Sequence, residues 1–202
     1  MVTKPIFEGD GYKIYDTINY GGVSELVDLH NENMIKQRDG EYFRKILNKP
    51  KSIILVAKDD KGKIVGYILT RPEYSPLLRN SKGLYNTMNF VGIVVSPKMR
   101  GKGVAQKLIG LMEERVKEMN QFEYIFGHVR FSNKSAQRLY RKLGYSLFPV
   151  GRYKDTKEIK YRLFKRFKRP DIGRHFNEFR KEIIIGFVLV VGHEIIHQIR
   201  DY

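Results

Sequence analysis

The chain is organised around residues 89–119, NFVGIVVSPKMRGKGVAQKLIGLMEERVKEM. Residues 90–95 are an apolar, β-branched run that predicts a buried strand, and Ser96-Pro97 ends it because proline donates no hydrogen bond. Apolar residues then recur at helical spacing over residues 104–119. The glycine-rich turn RGKGVA, residues 100–105, joins the two elements. Because the first amides of a helix are free to bind anions, this strand-turn-helix unit predicts an anion site, above all for a pyrophosphate.

The spacing within the turn separates it from two nucleotide motifs. It lacks both the G-x-x-x-x-G-K-[ST] of P-loops and the G-x-G-x-x-G of dinucleotide sites. It resembles the R/Q-x-x-G-x-G/A signature of the GNAT acetyltransferases, with Arg100 first and with Gly103 and Ala105 at the small positions. In that family the turn holds the pyrophosphate of acetyl-coenzyme A. A plain tight turn is the alternative interpretation.

A second stretch resembles another hallmark of the same family. Residues 128–145, HVRFSNKSAQRLYRKLGY, contain N-x-x-A-x-x-L-Y-x-x-x-G-F/Y, and they follow the first motif in the family's order. The resemblance covers residues 10 to 165 approximately. It implies the mixed α/β GNAT acyl-CoA N-acyltransferase fold, with a catalytic domain over residues 1–165 and a C-terminal extension, expected to be helical, over residues 166–202. Sequence patterns give the element order β-α-α-β-β-β-α-β-α-β-β, with a first strand over residues 11–19, a hairpin turn at residues 59–62 and a loop over residues 71–85.

The resemblance also implies which residues contact acetyl-coenzyme A. They lie on the central strand, in the turn and on the later helix: Ile93, Val94, Val95, Arg100, Gly101, Lys102, Gly103, Val104, Ala105, Asn133 and Tyr140. Tyr140 matches the tyrosine that serves as general acid for the leaving thiolate, and a phenol with a pKa near 10 suits that role. A core aromatic is the alternative for Tyr140, and a helix N-cap explains Asn133 equally well. No metal is expected.

His128 is the candidate general base, because imidazole titrates near neutral pH. Residues 128–133 resemble the L-[EH]-V-[RQ]-x-S-N strand end of protein N-terminal acetyltransferases, with the ribosomal-protein-alanine type as the nearest subfamily. A structural histidine is the alternative. Tyr153 could match the tyrosine that holds the acceptor's backbone. Asn89 stands where several of these enzymes carry a histidine or tyrosine, and asparagine can orient a water but cannot take its proton.

The function that the resemblance implies is acetyl-CoA-dependent transfer of an acetyl group to a primary amine, by direct attack in a ternary complex. A protein N-terminal α-amine is the first candidate acceptor. A lysine side chain or a small amine such as a polyamine is the alternative within the class. From another class, the chain could be a basic nucleic-acid- or ribosome-binding protein with a degenerate GNAT domain.

Composition limits these possibilities. The 202 residues suffice for one ordinary core, and the formal charge of +16 favours polyanions such as coenzyme A, RNA, the ribosome or an anionic membrane. A lysine-rich surface that keeps the protein in solution is the alternative. The absence of cysteine excludes disulfides, thiolate zinc sites and a catalytic thiol. Residues 1–15 lack the apolar core of a signal peptide, so the expected location is cytoplasmic.

The C-terminal extension turns basic over residues 165–182 and apolar over residues 183–192. The apolar run is too short to span a bilayer, so we expect a buried or dimer-forming helix, with membrane-surface attachment as the alternative. Residues 193–197, HEIIH, match the H-E-x-x-H zinc motif in form only, because five residues follow and no protease domain surrounds them.

Overall fold

The computed structural model describes residues 4–16, 22–73 and 87–167. The chain divides into two compact units, one of residues 1–72 and 89–120 and the other of residues 73–88 and 121–202. The described strands and four described helices form a mixed α/β fold, as the sequence predicts. None of the described helices is long and apolar enough to cross a membrane.

The first unit holds most of the strands and three of the helices. In chain order its elements are β1 (Phe7–Gly9), β2 (Tyr12–Tyr15), α1 (Gly22–Asn33), α2 (Gly40–Leu47), β3 (Ile53–Lys58), β4 (Ile64–Glu73), β5 (Thr87–Val95) and α3 (Val104–Glu118). The strands lie in the order β1-β2-β3-β4-β5, and the first three pairings are antiparallel. β4 ends and β5 begins in residues of the second unit, where the Thr87 hydroxyl donates to the Glu73 carbonyl oxygen.

The core of the first unit follows from its apolar strands and amphipathic helices. β3 is buried along nearly its whole length, which explains why its sequence is continuously apolar. Packed with it are residues whose side chains are almost fully excluded from water: Leu26, Phe43, Ile46, Tyr67, Leu69 and Val94. The buried hydroxyl of Tyr67 in this cluster has a hydrogen-bond partner, because Nδ1 of His30 lies 2.6 Å from it.

Beyond residue 120, the described part of the second unit contains three strands and one helix: β6 (Tyr124–Arg130), α4 (Lys134–Lys142), β7 (Ser146–Arg152) and β8 (Ile159–Arg166). β8 lies between β6 and β7 and is antiparallel to both. Asn133 caps α4, and Gly144 follows the helix with a φ of 83°. β7 is the edge strand, and its pairing with β8 is interrupted by an irregularity between Pro149 and Arg152.

Three sequence expectations need correction or lie outside the described residues. The first strand predicted over residues 11–19 corresponds to β2, which begins at Tyr12 and ends at Tyr15, and residues 17–19 are not described. The short strand β1 before it was not predicted, and Asp10-Gly11 forms the turn between the two strands, with Gly11 at a φ of 73°. The loop predicted over residues 71–85 begins later, because β4 continues to Glu73, and residues 74–86 are not described. The extension beyond residue 167, with the H-E-x-x-H stretch, also lies outside the described residues.

Candidate active site

The glycine-rich turn in the first unit has the backbone of an anion site. Gly101 and Gly103 have φ values of 82° and 77°, a region that side chains disfavour. α3 begins directly after Gly103, so its first amides have no acceptor within the helix; the Lys107 amide reaches the Gly103 carbonyl at 3.0 Å. The first turn of α3 contains no acidic residue that would repel an anion.

Arg100, the first residue of the turn motif, is engaged with protein atoms. Its Nε donates to the Val95 carbonyl oxygen at 3.2 Å, and its Nη2 donates to Oδ1 of Asn33 at 3.1 Å. The guanidinium of Arg100 thus links the end of β5 to the end of α1 by hydrogen bonds. In this arrangement Arg100 sets the geometry of the turn, and the backbone amides that follow it are the groups left for a ligand.

The other predicted cofactor contacts of the first unit lie on β5. Val94 is 4% exposed, whereas Ile93, Val95 and Asn89 are half-buried. The expected role of residues 93–95 rests on main-chain N–H groups, and it stays a prediction. Asn89 lies near the start of the same strand.

Tyr140 lies on α4 in the second unit and is 5% exposed. Burial raises its pKa above the ordinary value, and the nearby Tyr153 adds to the effect. Its ring packs edge-on against Tyr145, with centroids 5.7 Å apart. The phenol is therefore protonated across the neutral range, the state that a general acid requires. Tyr140 is both a core aromatic and a chemically suitable donor, so the two interpretations are compatible.

Asn133 at the start of α4 is an N-cap. Its Oδ1 accepts from the Ala136 amide at 3.1 Å. Gln137, buried one turn further along, donates to the carbonyl oxygens of Arg130 and Phe131 at 3.0 and 2.8 Å. These bonds fix the bend between β6 and α4. Because the cap occupies Oδ1, a contact of Asn133 with coenzyme A would use the side-chain amide nitrogen.

His128 lies on β6 with its side chain exposed, yet it does not titrate as a free imidazole. Partial removal from water, followed by the positive charges of Arg162 and Lys160, lowers its pKa to about 4. Across the β6–β8 pair Arg162 stands directly opposite His128. At this lowered pKa the ring is neutral at pH 7 and can accept a hydrogen bond. The general-base role of His128 stays a prediction.

Tyr153 follows β7 and is held beside the end of β6. Its amide donates to the Glu158 carbonyl at 2.9 Å, and the guanidinium of Arg130 lies 4.1 Å from its ring centre. Arg130 in turn pairs with Asp155 at 3.0 Å and Glu158 at 3.6 Å. Burial raises the pKa of Tyr153, so its hydroxyl is a hydrogen-bond donor at neutral pH.

The second unit thus brings together three of the predicted site residues. Tyr153 raises the pKa of Tyr140. Lys160 lowers the pKa of His128, and its Nζ lies 6.0 Å from the ring centre of Tyr153. Sequence reasoning missed the charged neighbours: Arg130, Glu158, Lys160 and Arg162. The alternation in IKYRLFKR, residues 159–166, which places basic residues on one face of a strand, was the available signal.

No three histidine, aspartate or glutamate side chains within residues 4–16, 22–73 and 87–167 are grouped as metal ligands. The expectation that no metal is used stays a prediction.

The sequence matches the Acetyltransferase (GNAT) family over residues 23–145. It is 31% identical to an N-alpha-acetyltransferase of Sulfurisphaera tokodaii over 132 residues, which cover 65% of this chain and 78% of that protein. It is 32% identical to the N-terminal acetyltransferase A complex catalytic subunit NAA10 of Arabidopsis thaliana over 110 residues, 54% of this chain and 53% of that one. The chain spans 64%, 58% and 53% of the length of three of the curated relatives it matches.

Solved structures share the fold. The ribosomal-protein-S18-alanine N-acetyltransferase of Escherichia coli has a TM-score of 0.62 at 13% identity, covering 80% of this chain and 97% of that one. Arabidopsis thaliana NAA60 in complex with acetyl-CoA has a TM-score of 0.66 at 16% identity, covering 77% and 99%. The family match extends over more than half of the residues. This chain therefore belongs to the GNAT acetyltransferase family.

Proposed function

We propose that this protein is an acetyl-CoA-dependent N-acetyltransferase whose acceptor is a protein N-terminal α-amine. Family membership supports acetyl transfer, and relatives at about 30% identity that are named N-alpha- or N-terminal acetyltransferases support the acceptor. The observation that carries the proposal is the protonation state of three residues of the second unit: the pKa values of Tyr140 and Tyr153 are raised and that of His128 is lowered. Two protonated phenols can donate hydrogen bonds and an unprotonated imidazole can accept one, which suits acyl transfer to an amine.

The turn of the first unit fits the pyrophosphate of acetyl-coenzyme A. Gly101 and Gly103 carry no side chain that would cover the amides, and α3 offers the positive end of its dipole without an acidic residue in its first turn. Acetyl-coenzyme A, when bound, supplies an acetyl group activated as a thioester. In the proposal the amides of residues 101–105 bind its phosphates, and Arg100 holds the turn in shape.

In the proposed mechanism the acceptor amine attacks the acetyl carbonyl directly. Main-chain N–H groups of residues 93–95 stabilise the negative charge on the carbonyl oxygen. Tyr140 donates its proton to the departing thiolate. Tyr153 donates a hydrogen bond to the acceptor's backbone.

His128 takes a more limited part than a strong base. With a pKa of about 4, its neutral ring can accept a hydrogen bond from the attacking amine or from a bridging water. It therefore orients the amine or the bridging water. The proton that the amine releases goes to water, and Tyr140 regains a proton from water after it has protonated the thiolate. Asn89 is proposed to orient a water in the same step.

The test is thiol release from acetyl-coenzyme A across a panel of acceptors. The panel contains peptides with free N-termini, the same peptides with blocked N-termini, lysine peptides and polyamines, and mass spectrometry locates the acetyl group. We expect turnover only with free N-termini. Turnover with lysine peptides or polyamines alone would contradict the acceptor assignment and favour a side-chain or small-amine acetyltransferase. Acetyl-coenzyme A binding without any turnover would favour a degenerate GNAT domain.

We further propose a cytoplasmic location, with a contact to the ribosome through the basic surface and a contact to a second copy of the chain through residues 166–202. The overall charge of +16 supports a contact with RNA-rich particles. Ribosome co-sedimentation at low and high salt, and the oligomeric state in solution, test the two contacts.

A further inference from the structure

The face of the second unit that carries His128 is positively charged. Across the β6–β8 pair, His128 stands opposite Arg162 and Arg130 stands opposite Lys160. Alternate residues of a strand share one face, so Arg166 lies on this face as well. The effect of this charge is visible at His128, whose pKa is lowered partly by Arg162 and Lys160.

The charges on this face are not equally compensated. Arg130 is neutralised by ion pairs with Asp155 and Glu158. Arg162 has Glu73 nearby, which raises its pKa against the opposing effect of burial. Lys160 forms no ion pair with any carboxylate of the described residues, although it is half-buried. A lysine that has no carboxylate partner among the described residues favours the binding of an anion.

The position of Lys160 indicates where that anion belongs. Its Nζ lies 6.0 Å from the ring centre of Tyr153, the residue proposed to hold the backbone of the acceptor. An extended peptide advances about 3.3–3.6 Å per residue. A side chain that reaches Lys160 from a backbone held at Tyr153 therefore comes from a residue close to the α-amine.

We infer that the preferred acceptor carries an acidic side chain at its second or third residue, and that Lys160, supported by Arg162, binds its carboxylate. This inference rests on the proposed function, because it specifies the acceptor of that same site. A basic side chain at the same position would face Lys160 and be disfavoured by like-charge repulsion. A neutral one would leave the ammonium without a counter-ion.

The experiment compares peptides that differ only in charge. Pairs with Glu or Gln at the second residue, and separately at the third, are acetylated by the full chain, and kcat/KM is measured for each. We expect at least one Glu peptide to exceed its Gln partner about tenfold, equivalent to about 1.4 kcal/mol. The ratio should fall towards one in Lys160→Gln and at high salt, which screens the pair. Lys142→Gln, the same charge change at an exposed position of α4, should keep the ratio.

The charge-swapped variant Lys160→Glu provides a second readout that does not depend on loss of activity. It should prefer a peptide with Lys over one with Glu at the responsive position. If the unsubstituted protein acetylates Glu and Gln peptides equally, the inference is overturned while the proposed function stands. If no free N-terminus is acetylated, the proposed function itself fails. A ratio near one, together with RNA binding that is lost in Lys160→Gln, would overturn the inference and make this face a nucleic-acid surface.

Discussion

Tyr140 holds its proton more firmly than an ordinary tyrosine, because burial and the neighbouring Tyr153 both disfavour the phenolate. We predict that Tyr140→Phe lowers kcat about 10²–10⁴-fold, the range for loss of a general acid, and leaves the KM for acetyl-coenzyme A nearly unchanged. Steady-state kinetics with a free N-terminal peptide measure both constants. The control is Tyr145→Phe, which removes the hydroxyl of the ring packed against Tyr140 and should retain kcat. Equal losses in both variants would indicate a packing effect.

His128 should titrate far below neutral pH. Partial removal from water and the charges of Arg162 and Lys160 place its pKa at about 4, so an NMR titration of its ring should show a midpoint near that value. The unfolded chain has a pKa near 6.5 at this residue and binds the proton first as the pH falls. The contribution of His128 to the free energy of unfolding should therefore decrease between about pH 6.5 and pH 4 and stay constant below.

Because the ring of His128 is neutral near pH 7, substituting it should lower the rate by a factor that does not depend on pH in this range. His128→Gln should reduce kcat/KM by the same factor at every pH between about 6 and 8, since the imidazole is neutral throughout that range. A limb in the pH profile with a midpoint near 6.5, present in the unsubstituted protein and absent in His128→Gln, would contradict this prediction.

The residues of the site were predictable where a local motif contains them. The role of Asn133 as a helix cap follows from its residue type and its position before α4. The donor role of Tyr140 rests on the resemblance to the family motif and stays a prediction. The low pKa of His128 was not predictable, because Arg162 and Lys160 are more than thirty residues away along the chain and meet His128 only through the β6–β8 register. Long-range pairing changes proton affinity, and a local motif contains no information about it.

At the scale of elements, the turn before α3 depends on glycine. We predict that Gly103→Ala costs about 1–2 kcal/mol of stability, because its φ of 77° is left-handed, and also raises the KM for acetyl-coenzyme A by distorting the amides. Gly62→Ala is the matched control: its φ is 78°, and an added Cβ would meet no atom within 4 Å at either glycine. Similar losses of stability with a change in KM only for Gly103→Ala would support a cofactor role. An unchanged KM in both would contradict it.

Substitutions at two helix N-caps can separate an effect on the stability of the fold from an effect on acetyl-coenzyme A binding. Asn133→Ala removes a cap, and Asp39→Ala removes the equivalent cap of α2, where Oδ1 accepts from the Tyr42 amide at 2.8 Å. Each substitution should cost about 1 kcal/mol in denaturant unfolding. Only Asn133→Ala should also weaken acetyl-coenzyme A binding, measured by calorimetry. Weaker binding in both variants would show that the effect is one of general stability.

The elements themselves were mostly predictable from period and turn chemistry. Residues 104–118 show the spacing of apolar residues that is typical of a helix. Oδ1 of Asp59 accepts hydrogen bonds from the amides of Lys61 and Lys63 in the hairpin turn that the sequence predicts. The β1–β2 hairpin was not predictable, because a strand of three residues is too short to show an alternation of apolar and polar residues. Nor was the position of β8 between β6 and β7, since strand order depends on pairing between distant segments.

At the scale of the whole molecule, most of the positive charge lies before residue 168. Residues 168–202 contain six basic and five acidic side chains, so they account for only +1 of the +16. We predict that the KM for acetyl-coenzyme A rises with salt, since screening weakens attraction of the anionic cofactor, and rises equally after removal of residues 168–202. Loss of the salt dependence in the shortened chain would place the relevant charge in the extension.

Among the described strands, β7 lies at an edge and pairs only with β8, and this position affects how the protein behaves when it is concentrated. A strand with only one neighbour offers its free N–H and C=O groups to a strand of another molecule, which is how fibrils grow. Pro149 removes a donor in the middle of β7, and the irregular pairing that follows it bends the strand. A strand from another molecule could therefore not form a continuous ladder of hydrogen bonds with β7. Copies of this protein should therefore resist joining sheet to sheet along β7, even at the high local concentrations that favour aggregation.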